Sequence, residues 1–72
     1  MALVQEYFPT RRAEELRSGD QIVQLSGRWD RVHGVGGWGE DGVEVAGVVF
    51  VRTDTHYNNW LRYPVGTLVK VV

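Results

Sequence analysis

The sequence predicts an all-β fold, a small five-stranded antiparallel barrel with a short N-terminal helical turn. Three observations carry that expectation. From Asp20 onward the chain breaks into short runs of Val, Ile, Leu, Phe, Trp and Tyr separated by Gly, Pro, Asn, Asp and Ser, as in sandwiches and barrels whose turns recur roughly every 8–12 residues. Residues 43–52 are a near-continuous valine run with Phe50, which belongs to a strand buried on both faces or bent between two sheet layers. Finally, 72 residues leave room for one core only. At that length a small barrel is the closed arrangement that removes exposed edges.

The elements follow in order. Residues 2–8 alternate loosely and end at Pro9-Thr10, as an arm or a closing strand. Thr10 is placed to cap one or two helical turns over residues 10–17, with Ala13, Glu14, Glu15 and Leu16 as helix formers and Ser18-Gly19-Asp20 as the stop. Residues 21–25 read as a strand, Ser26-Gly27 as a two-residue turn, and residues 28–35 as the hairpin partner. Val32 and Val35 break strict alternation, and a bulge near Gly34 reconciles them. Residues 34–42 hold five glycines around Trp38 and read as a long, mobile hairpin tip. The valine strand over 43–52 bends at Gly47. Residues 53–56 connect it to a strand over 57–63, Pro64-Val65-Gly66 turns the chain, and residues 67–72 close it. In that last strand Val69 and Val71 face one way, and Leu68, Lys70 and Val72 the other.

Composition narrows function. A domain this small buries only about 60% of its unfolded surface and usually needs a staple. The absence of cysteine excludes disulfides and thiolate metal sites, so stability rests on a core rich in the eight aromatics, on oligomerisation, or on both. The net charge of −1 argues against a generic polyanion binder. No apolar run reaches membrane-spanning length and the first residues lack the parts of a secretion signal, so a cytoplasmic protein is expected.

Catalytic and cofactor motifs fail on context. Gly34, Gly36 and Gly39 match Gly-x-Gly-x-x-Gly, but that pattern binds dinucleotides only between a strand and a helix N-terminus. Here Glu40-Asp41-Gly42 and a valine strand follow. His33 and His56 have Asp54, Asp30 and Glu44 as conceivable co-ligands, without the spacing of a zinc site. Ser18 and Ser26 sit in turns, and the acidic pairs Glu14-Glu15 and Glu40-Asp41 fall where solvation explains them. Neither an enzyme nor a cofactor is expected.

Aromatic and arginine residues carry the functional signal. Trp38 stands among glycines with no evident core position, and an exposed tryptophan marks a contact surface. By period two, Tyr57, Asn59, Leu61 and Tyr63 share one face and Asn58, Trp60 and Arg62 the other. Two placements are open. With the Leu61 face in the core, the outer face offers a ring, an amide and a guanidinium, suited to bases or an extended peptide. Otherwise Trp60 is core and the tyrosines lie outside. Arg11, Arg12, Arg17, Arg28 and Arg31 form a basic concentration, with Glu14, Glu15, Asp20 and Asp30 interleaved as ordinary pairing partners. The candidate partner-binding residues are Trp38, Tyr57, Trp60, Arg62, Arg28 and Arg31.

The run from Ala13 to Val23, with Leu16-Arg17-Ser18-Gly19-Asp20 leading into a strand and Gly27-Arg28-Trp29 leading the next, resembles small barrel modules of the Src-homology-three-like type in actinobacterial, plasmid and phage proteins. The terminal run from Pro64 to Val71 resembles their closing strand. The resemblance spans about residues 13–72 and implies a fold; it implies no site residues, because such barrels host many binding roles. The residues and the resemblance together lead to a binding module whose partner is a protein or a second copy of the chain, with nucleic acid as the alternative. Neither a membrane nor a small-molecule substrate is expected.

Overall fold

The computed structural model describes residues 9–39 and 41–72; the expected arm at residues 2–8 lies outside them. The described chain is all-β, with strands β1 (Thr10–Arg12), β2 (Gln21–Val23), β3 (Trp29–Gly36), β4 (Val48–Thr53), β5 (Leu61–Pro64) and β6 (Leu68–Val71), and a single 3-10 turn at Ala13–Glu15. They form one antiparallel sheet in the order β1-β6-β2-β3-β4-β5. Two expectations are corrected here. Among the described residues there are six strands where five were expected, and their sheet is not closed into a barrel, since β1 and β5 are its edges.

The first difference arises at the N-terminus. Thr10 does not cap a helix. Thr10, Arg11 and Arg12 pair with Lys70, Val69 and Leu68, because ladder bonds to β6 win over the weak local helix signal of so short a segment. The 3-10 turn buries Ala13 and Leu16 against the core. It is fastened by the Ala13 amide, which donates to the Thr67 carbonyl at 2.9 Å, and by Glu14, whose Oε1 accepts the Gly66 amide at 2.8 Å.

Alternation builds the core. Ile22, Val32, Val49, Val51, Val69 and Val71 are buried together with Ala13 and Leu16, and Val35, Leu61 and Tyr63 pack against them. In β6 the pattern is the expected one, with Val69 and Val71 inside and Leu68 and Lys70 outside. The expected bulge is present: the β3–β4 register slips between Val32 and Gly34, which turns both Val32 and Val35 inward. The Ser26-Gly27 turn is wider than two residues. The Gln24 amide donates to the Arg28 carbonyl at 2.9 Å around Leu25, Ser26 and Gly27, with Gly27 at φ +85°, a three-residue loop ending in a left-handed glycine.

The long valine strand and the mobile tip are both revised. The longest strand is β3, eight residues ending at Gly36, so Gly34 and Gly36 belong to the sheet. Residues 43–47 are not strand apart from an antiparallel bridge between Trp38 and Glu44, and Gly47, at φ +77°, ends a turn at the start of β4. Likewise β5 begins only at Leu61; residues 54–60 form a loop.

Candidate functional site: an aromatic–arginine groove

Beyond the bulge, the pairing Gly34–Arg52 and Gly36–Phe50–Arg62 sets these residues on one face of β3–β4–β5, opposite the face of Val35, Val51 and Leu61. Phe50 is buried, although it faces away from the core cluster. It is covered by Gly39, where a Cβ would stand 3.2 Å from the Phe50 ring, and by the Arg62 guanidinium, 5.7 Å from its centroid. Trp38 follows the end of β3 and remains 59% exposed.

These residues border a cavity of about 210 Å³ lined by Gly34, Val35, Gly36, Trp38, Phe50, Arg52 and Trp60. The glycines make its floor: a Cβ on Gly36 would meet the Trp38 ring at 3.6 Å, and one on Gly34 would meet Arg52 Nη2 at 3.7 Å. Arg52 sits between rings, its guanidinium 4.9 Å from the Tyr57 centroid and 5.9 Å from that of Trp60, within cation–π range. Arg52 Nε is enclosed and has no hydrogen-bond acceptor among the described residues.

The loop that carries Tyr57 and Trp60 is held from beneath. Trp60 Nε1 donates to the Tyr57 carbonyl at 2.7 Å, and the His33 ring meets Tyr57 edge-on at 5.7 Å while bonding the Asp54 carboxylate. Deeper, the buried Asp30 carboxylate accepts from Gln24 Nε2 at 2.6 Å, from Thr53 Oγ1 at 2.7 Å, from the Thr55 amide at 3.2 Å and from the Thr55 hydroxyl. His56 Nδ1 lies 3.6 Å from Asp30 Oδ2. Burial pushes the Asp30 carboxyl up, but the hydrogen bonds from Thr55 and Thr53, with His56 beyond them, outweigh it and hold the group below the ordinary carboxylate range. The two histidines are thus engaged in separate pairs, and among the described residues no three His, Asp or Glu side chains converge on a metal position.

Of the six candidates read from the sequence, Trp38, Tyr57, Trp60 and Arg62 come together around this face. The Leu61-inward placement is the one realised, with Tyr63 also inward. Tyr57 departs from it, because it precedes β5 and turns to Arg52 on the outer side. Arg28 and Arg31 do not join the groove. Arg28 lies in the β2–β3 turn, and Arg31 lies before the bulge, opposite Gln21. Sequence reasoning missed Phe50, Arg52 and the two floor glycines. Alternation along β4 groups Phe50 with Arg52, but matching them to Gly34, Gly36 and Arg62 needs the register.

A larger hollow of about 620 Å³ lies between the β2–β3 turn, β5 and β6. Its lining mixes aliphatic side chains such as Leu25 and Leu61 with Gln24, Ser26, Tyr63, Thr67 and Lys70, and none of the six candidates read from the sequence borders it. No helix among the described residues is long and apolar enough to cross a membrane. Comparison of the chain with protein-family models, curated proteins and solved structures finds no match.

Proposed function

We propose that this domain is a non-catalytic, cytoplasmic binding module that seats an extended segment of a protein partner in the groove between Trp38 and Trp60. The observation that carries the reading is Trp38 itself, largely exposed beside a glycine-floored cavity with Phe50 and Arg52 beneath. Apolar rings around a few fixed polar groups are how peptide and small-ligand sites combine affinity with orientation. The resemblance of the Leu16–Asp20 turn and the Gly27-Arg28-Trp29 run supports a Src-homology-three-like module, here with an open sheet.

Acidic groups favour protein over nucleic acid. Glu44 is bridged to Trp38, and Asp41 lies against Gly39, so a phosphate chain leaving the groove on the Trp38 side would meet like charge. Peptides selected from a random display library against the wild-type domain, then titrated by tryptophan fluorescence, test the reading. Trp38→Ala is expected to cost about 2 kcal/mol, roughly 30-fold in Kd, as buried tryptophan anchors do. Equal binding to wild type and Trp38→Ala sinks the proposal. Tight binding of a single-stranded oligonucleotide that collapses with added salt gives the site to nucleic acid instead. Dimerisation lost in Trp38→Ala, read by sedimentation at dilute and high concentration, identifies the partner as a second copy.

A further inference from the structure

Resting on that reading, we infer that the seated segment is anchored by a side-chain carboxylate, an aspartate or glutamate of the partner, on the guanidinium of Arg52. Arg52 has no carboxylate partner among the described residues. Two rings flank the guanidinium, so the cation–π slot is already filled from within and is not a cage for a cationic ligand. The groove side is different. Gly34 and Gly36 place no side chain over it, and Nη2 lies where a residue larger than glycine at position 34 would cover it. A carboxylate entering from the groove side meets the Nη2 edge of the guanidinium, a charge-assisted hydrogen bond of the kind arginine favours, while Nε stays enclosed.

The site fits a single negative charge better than a chain of them. Glu44 pairs with Trp38 through a backbone bridge and Asp41 lies close to Gly39, so the segment around Trp38 is acidic and suits a polyanion less. A side-chain carboxylate fits better than a chain terminus. Terminal carboxylates are captured by nests of free backbone amides, whereas Gly34 and Gly36 are paired in the β3–β4 ladder.

The probe is a positional library of acetylated, amidated hexapeptides with one position fixed as Glu, Gln or Lys. Binding is read from tryptophan fluorescence and from the Arg52 Nε–H and Trp38 indole signals in NMR spectra. The Glu set is expected to bind about tenfold or more tighter than the Gln set, the scale of a charge-assisted pair, and to shift the Arg52 Nε–H signal. Arg52→Gln should erase the preference for Glu, and Arg52→Lys should restore only part of it. Should Arg52→Gln fail to fold, Gly34→Ala serves, since its Cβ makes only an ordinary 3.7 Å contact while covering Nη2; it too should erase the preference. Equal binding of Glu and Gln sets, with both lost in Trp38→Ala, overturns the carboxylate anchor and leaves the binding module intact. No shift of groove signals with any set overturns both.

Discussion

Asp30 stands opposite Ile22 on the inner side of the sheet, where a strand residue is ordinarily apolar. It is tolerated because Gln24, Thr53 and Thr55 all donate to its carboxylate. Removing that acceptor orphans several donors at once, each worth about 1–3 kcal/mol when buried. Asp30→Ala is therefore expected to lose at least about 2 kcal/mol in urea unfolding and to loosen the loop bearing Tyr57 and Trp60. The pH dependence has a definite sign. The folded carboxyl titrates below its unfolded value, so its stabilisation is complete above about pH 4–5 and is lost as pH falls through the folded value. The stability gap between wild type and Asp30→Asn should thus stay constant from neutral pH to about 5 and narrow below about 4. A gap that widens in acid would contradict the assignment. The sequence showed Asp30 as one of several acids among arginines and as a conceivable co-ligand of the histidines, not as a buried residue. Its burial follows from pairing with Ile22, a fact of register.

At the scale of elements, turns and the bulge decide what the site contains. The β2–β3 turn ends on Gly27 at φ +85°, with open space where a Cβ would stand, so Gly27→Ala isolates the backbone cost. About 1–2 kcal/mol is expected for forcing an L-residue into that region, seen as a lower thermal midpoint with the groove signals unchanged. The bulge was legible in the spacing of Val32 and Val35, because two valines an odd number apart cannot share a face otherwise. Its consequence was not. By switching the face, the bulge points Gly34 and Gly36 outward over Arg52 and Phe50. The formal Gly-x-Gly-x-x-Gly match therefore has a packing explanation without phosphate. Two of its glycines floor the groove, and Gly39 admits the Phe50 ring. The 3-10 turn is held through Glu14, whose carboxyl the Gly66 amide, ahead of its own amide, draws below the usual range. That contact is solvent-exposed and adds little, whereas Ala13 and Leu16 seal the core.

For the whole molecule, a chain of this length has roughly 4–11 kcal/mol of stability in total. Among the described residues the core is one cluster of aliphatic side chains, with Tyr63 packed against it and Ile22 fully buried within it. Ile22→Ala is expected to cost about 2–5 kcal/mol, a large share of that total, and to leave a substantial unfolded population detectable by circular dichroism near physiological temperature. The exposed Leu68→Ala should change stability by no more than about 0.5 kcal/mol; comparable losses for both would mean that the core is elsewhere. An aromatic-rich core was expected from composition. Among the described residues, valines, isoleucine, leucine and alanine fill the cluster with Tyr63 packed against it, and the rings of Trp38, Tyr57, Trp60 and Phe50 gather on the other face of the sheet. Composition counts rings but does not assign them to a side.

The sequence by itself determined the all-β class, the turns at Ser26-Gly27 and Pro64-Val65-Gly66, the bulge and the inward valines of β6, and it singled out Trp38 and Trp60 without placing them on one face. These are local matters: alternation, glycine placement and proline are written within a few residues of where they act. Tertiary structure decided the six-strand open order, the strand made by Thr10–Arg12 and the place of Arg52. Each depends on which distant strand lies alongside, and strand pairing is set by the summed burial of the sheet rather than by any one segment.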